Sequence, residues 1–120
     1  MKLAISAQGA GLESPVDPRF GRATYFVVVD TDTGDIRAQD NAVNLNAAQG
    51  AGIQAGKNVV DLGVEAVITG HVGPKAFATL QAGGVKVYTG ASGTVAEALD
   101  QFKAGKLRCT ETPDVEGHWV

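Results

Sequence analysis

Arg19 and Arg22, His71 and Lys75, and the hydroxyls of Ser92 and Thr94 are the side chains of this sequence best suited to chemistry. The chemistry they suit is holding an anion. The clearest stretch is Gly70-His71-Val72-Gly73-Pro74-Lys75. Gly70 and Gly73 admit close approach of a ligand to the backbone and dihedral angles that a β-carbon disfavours. Pro74 suits a first helical position, where its missing N–H costs nothing. The N–H groups of a helix beginning there face into the loop and favour negative charge. Lys75 stands in the first turn, where its charge opposes the helix dipole, a placement better suited to a bound anion than to an isolated helix. His71 has two readings, a solvated loop residue or a metal ligand. Arg19-Phe20-Gly21-Arg22 forms a second stretch, whose arginines cap the next strand, pair with Asp17 or face the same anion. Gly90 to Gly93, ahead of Thr94, is a third. Phe20 and Val72 are read as an apolar wall between these groups.

Groups able to transform a bound anion are few. The sequence has no Gly-x-Ser-x-Gly elbow, no Walker phosphate loop and no dinucleotide-binding glycine motif. Asp17, Asp30 and Asp32 match a two-metal nuclease in residue type, yet Asp30 and Asp32 fall at a predicted hairpin turn. A single cysteine, Cys109, excludes an internal disulfide and an all-cysteine metal site. It is read as an incidental or structural thiol in a reducing compartment.

The elements that must position these side chains follow from periodicity. Leu3 to Ala7 is apolar on both faces, as in a central strand. Gln8 to Gly21 is a long loop. Thr24 to Asp30 is rich in β-branched and aromatic residues and forms the strongest strand signal. A turn at Asp32-Thr33-Gly34-Asp35 leads into a hairpin partner, Ile36 to Gln39. Asn41 to Asn46 reads as a crossing loop, and Ala47 to Leu62 as a glycine-marked helix packed on a sheet. Ala66 to Thr69 and Val85 to Tyr88 are two further buried strands, separated by a helix from Pro74 that ends at Gly83-Gly84. Thr94-Val95-Ala96-Glu97 spells a capping box for a last helix, reaching Lys103. Lys106 to Val120 reads as a poorly packed tail, with His118 and Trp119 available to the body or to a partner.

Strand-helix-strand-helix order over Val64 to Lys103 gives parallel strands through right-handed crossovers. The hairpin makes the sheet mixed, with five strands expected in one α/β domain. Ligands bind such sheets beyond the carboxyl ends of the parallel strands. Gln8 to Ala23, Gly70 to Pro74 and Thr89 to Gly93 leave those ends. At 120 residues, 44% hydrophobic and 19% charged, the chain fits one globular domain. A net charge of −3 argues against general nucleic-acid binding. No apolar stretch reaches membrane-spanning length. The chain enters directly on the strand-like Lys2 to Ser6, so no signal peptide and a cytoplasmic location are expected.

Val16-Asp-Pro-Arg-Phe-Gly-Arg-Ala-Thr-Tyr-Phe, Ile68-Thr-Gly-His-Val-Gly-Pro-Lys-Ala-Phe and Leu80-Gln-Ala-Gly-Gly-Val-Lys-Val-Tyr resemble the motifs of the dinitrogenase iron–molybdenum cofactor biosynthesis family. The likeness covers residues 1–107, leaving 108–120 as a C-terminal tail, and is nearest to the family's small stand-alone members. It implies a ribonuclease-H-like fold without nuclease activity. It also implies non-covalent binding of an anionic metal–sulfur cluster, either a molybdenum–copper sulfide or the iron–molybdenum cofactor or its precursor. Arg19, Phe20, Gly21, Arg22, Gly70, His71, Val72, Gly73, Lys75, Ser92 and Thr94 are the expected cluster-binding residues, with His71 as candidate metal ligand. Some relatives carry histidine where this chain has Arg19, so charge pairing replaces ligation there. Relatives often carry asparagine or glycine at the His71 position. The resemblance also allows a P-loop ATPase of the cell-division type as partner.

Overall fold

The computed structural model describes residues 1–41 and 51–110. It contains strands β1 (Lys2–Ala7), β2 (Tyr25–Asp30), β3 (Ile36–Asp40), β4 (Ala66–Ile68), β5 (Lys86–Thr89) and β6 (Arg108–Thr110). Helices α1 (Ala51–Asp61), α2 (Pro74–Ala82) and α3 (Val95–Lys103) and a 3₁₀ turn, Phe20–Arg22, complete the described elements. The crossing loop after Asn41, the expected first turn of the helix at 47–50, and His118 and Trp119 lie outside the described residues.

One sheet runs β3-β2-β1-β4-β5-β6. β1, β4 and β5 are parallel, while β2, β3 and β6 join antiparallel. Among the described residues the sheet therefore has six strands rather than the five expected. The extra one, β6, lies in the segment read as tail. Its three residues, Arg-Cys-Thr, carry no apolar alternation and gain their order from pairing with β5.

Alternation along the strands divides the core in two, because successive side chains face opposite sides of a sheet. Ala4, Val28, Val67 and Val87 face α1 and α2 with Phe20, Phe26 and Phe77. Leu3, Ile5, Val27, Val29, Ala66 and Ile68 face α3 through Val95 and Ala98. Both faces of the central strands are thus covered, which is why they read as continuous apolar runs. Gly56 of α1 approaches α2 rather than the sheet: a β-carbon there would lie 3.0 Å from Thr79. The α3 capping box forms as its sequence predicts, with Thr94 Oγ1 accepting from the Glu97 N–H and Glu97 accepting from the Thr94 N–H.

Candidate anion-binding site

Parallel β1, β4 and β5 end on the same edge of the sheet, so the three expected loops gather there. The long loop after β1 holds them together. Its first half lies along the start of α3: Val16 N–H donates to Gly93 O, and Val95 and Ala96 N–H donate to Ser14 O and Leu12 O. Its second half lies along the loop after β4. His71 N–H donates to Pro18 O at 2.7 Å, and Phe20 N–H donates back to His71 O at 3.2 Å. Arg19 and His71 are in consequence neighbours across a parallel bridge. The loops after β4 and β5 are joined by Gly90 N–H on Gly70 O and Ala91 N–H on Thr69 O.

Arg19, His71 and Lys75 are exposed on this edge, and Arg22 is half-buried. Lys75 follows Pro74, which opens α2 at its first turn, and Gly73 at the N-cap offers no side chain to cap the helix. The edge thus presents cationic side chains beside a helix start, where the free N–H groups favour negative charge.

Several expectations change. Phe20 and Val72 are fully buried and belong to the core under α1 and α2, so they form no open apolar wall. The exposed apolar surface beside the cations is that of Pro18 and Pro74. Gly70 and Gly73 are not in the left-handed region. Gly70 is needed because a β-carbon there would lie 2.8 Å from the main chain of Pro18. The close approach it permits is between loops, not to a ligand. Positive φ is required instead at Gly90 and Gly93, which turn the third loop. In that loop Ser92 is exposed, but its backbone N–H and carbonyl are both held by the Gln101 side chain. The Thr94 hydroxyl serves the α3 cap, with the Glu97 carboxylate beside it.

Asp17 is the acidic member of this edge. It is 7% exposed, and burial raises its carboxyl above the ordinary aspartate value. The Arg19 N–H, 2.9 Å from Oδ1, and the Arg19 charge pull it back. Asp30 and Asp32 lie at the other end of the sheet, where Asp30 pairs in register with Lys2 while Asp17 meets Ser6. Four residues of β1 separate the two places, about 13 Å of extended chain. The three aspartates therefore form no nuclease centre. Among the described residues no group of three or more histidine, cysteine, aspartate or glutamate side chains could hold a metal ion. Cys109 is exposed on the edge strand β6, paired with Tyr88 and apart from these loops.

Reading the sequence for charged groups passed over a row of hydroxyls beneath the loops. Ser6, Thr69 and Thr89 lie at the carboxyl ends of β1, β4 and β5, Ser6 one residue before the end of β1 and Thr69 one residue past β4, each within 5% of full burial. The signal was present as a hydroxyl residue closing each apolar run.

Comparison with known proteins places these features in a family. Residues 1–105 match the family model of the dinitrogenase iron-molybdenum cofactor. A solved structure of the apo form of the orange protein from Desulfovibrio gigas is 42% identical, covers 95% of this chain and 96% of its own, and superposes with a TM-score of 0.92. A NifB-like protein from Thermotoga is 40% identical over 95% of this chain and 98% of its own, with a TM-score of 0.81. An uncharacterized protein of Methanocaldococcus jannaschii is 29% identical over 109 residues, 89% of either chain.

Proposed function

This chain belongs to the dinitrogenase iron–molybdenum cofactor family, and on that premise we propose that it holds an anionic molybdenum-containing metal–sulfur cluster as cargo. Family and neighbours support cofactor-related binding by a carrier rather than a catalyst. That the orange protein has an apo form implies that this relative also has a loaded one. The observation that carries the reading is the bridge setting Arg19 beside His71, with Lys75 at the adjoining helix start.

The fit is chemical. In a sulfide cluster of molybdenum and copper the metals are already saturated by sulfide, so the protein need supply no thiolates. It must supply positive charge, N–H donors and some apolar surface. Arg19, Arg22, His71 and Lys75 supply the first two, and Pro18 and Pro74 the third. Gly70 lets the Pro18 and His71 loops lie against each other, Gly21 and Gly73 leave the neighbouring backbone without side chains, Phe20 and Val72 anchor the loops from below, and Ser92 and Thr94 form the rim on the α3 side. His71 acts as a donor to sulfide in this reading, since the described residues include no group of three or more side chains able to ligate a metal. The iron–molybdenum cofactor or its precursor would meet the same groups. No observation favours a P-loop ATPase partner.

Incubation of the purified chain with tetrathiomolybdate and copper(I), followed by gel filtration, tests the proposal. A charge-transfer absorption should elute with the protein. The double variant Arg19→Ala, Lys75→Ala should retain it at least tenfold more weakly, since two charge-assisted contacts are lost. Colourless protein would overturn the reading, and full retention by the double variant would remove those side chains from the site.

A further inference from the structure

The row of buried hydroxyls divides into two pairs with different tasks. Ser6 Oγ lies 2.7 Å from both the Asp17 carbonyl and Thr69 Oγ1; its single proton goes to the carbonyl, and it accepts from the Thr69 hydroxyl. Asp17 N–H in turn donates to the Ser6 carbonyl at 2.9 Å. Asp17 is therefore tied to β1 through both of its backbone groups, and the tie reaches β4 through Thr69. One residue on, Pro18 fills the space left by Gly70 and accepts from the His71 N–H. The order of contacts runs from Ser6 and Thr69 through Asp17 and Pro18 to Arg19 and His71. Thr89 makes the same kind of contact, 2.7 Å from Thr110 Oγ1, but that pair ties β5 to the edge strand β6 and touches neither cationic loop.

We infer that the Ser6–Thr69 pair is a positioning latch for the cargo site, setting the separation of Arg19 and His71, while the chemically equivalent Thr89–Thr110 pair contributes to stability alone. The inference rests on the binding reading above for its functional meaning. Its structural content is independent, because the latch acts on the loops whether or not cargo is present. Burial makes the latch effective: a hydroxyl with no access to water holds its partner rather than exchanging it for solvent. Neither Ser6 nor Thr69 would touch the cargo, since both are fully buried.

Four variants separate positioning from stability. Thr69→Val and Ser6→Ala each break the latch at nearly constant volume, Thr69→Ser restores its hydroxyl, and Thr89→Val breaks the control pair. In the chain without cargo, hydrogen exchange at the His71 and Phe20 amides should be roughly tenfold faster in Thr69→Val and Ser6→Ala, and near the parent rate in Thr69→Ser and Thr89→Val. With tetrathiomolybdate and copper(I) as probe, the first two should bind roughly tenfold more weakly, and Thr89→Val as the parent does. Should Ser6→Ala fail to fold, Thr69→Val with its serine rescue decides the matter. Unchanged exchange in Thr69→Val, or equal effects in Thr89→Val and Thr69→Val, would overturn the latch. If the parent chain retains no probe, the binding reading falls and the exchange rates still judge the latch.

Discussion

Asp17 brings a carboxylate under a cationic edge, and a pH dependence follows from its burial. Its carboxyl is raised above 3.8, chiefly by desolvation and against the Arg19 N–H and charge. A carboxyl raised on folding binds its proton more tightly in the folded chain. Its stabilising contribution is complete below the unfolded value and is lost as pH rises through the folded one. Asp17→Asn keeps an oxygen to accept from the Arg19 N–H but does not ionise. Urea midpoints of the variant should therefore fall less than those of the parent between about pH 4 and pH 7. Parallel curves would show that Asp17 does not titrate in that window. At this scale the sequence discloses residue types better than their surroundings. The arginines and Lys75 could be picked out as cations, and they do reach one edge. Phe20 and Val72 could not be placed, because an apolar residue in a glycine loop reads the same whether it faces a ligand or the core.

Loops after parallel strands are built here by packing on one another more than by their own turn chemistry. Gly70 shows this most plainly, since its requirement comes from Pro18, 52 positions earlier in the sequence. Gly70→Ala would force the Pro18 main chain, which cannot rotate out of the way, to move. A loss of about 1–3 kcal/mol is expected in denaturant unfolding, as for other overpacked sites. Retention of a tetrathiomolybdate–copper probe should weaken with it, because Arg19 shifts with Pro18; an alanine variant with parent stability would contradict this packing. Among the elements, β1, β2, β4 and both helices after Gly63 were legible, since long apolar runs, Pro74 and the Thr94 capping box are local signals. β6 was not, because a three-residue edge strand with two exposed members owes its order to a neighbour distant in sequence. The helix-to-helix contact at Gly56 was hidden for the same reason.

Over the whole molecule charge is distributed against its sum. The chain carries a net −3, yet the strand-end edge shows Arg19, Arg22, His71 and Lys75, while Asp30, Asp32 and Asp35 lie by the opposite hairpin turn. An anion is thus repelled by the molecule in general and attracted at one edge, which favours selective over indiscriminate binding. No helix among the described residues is long and apolar enough to cross a membrane. On the proposed function, this edge carries a molybdenum-containing sulfide cluster as cargo. Metal analysis with an absorption spectrum, on protein purified anaerobically from its native source, tests it most directly. Molybdenum is expected in fixed ratio to the chain, with sulfide-to-metal charge-transfer bands that weaken at least tenfold when Arg19 and Lys75 are replaced by alanine. Protein that is colourless and free of molybdenum, or colour that persists undiminished in that variant, would contradict it.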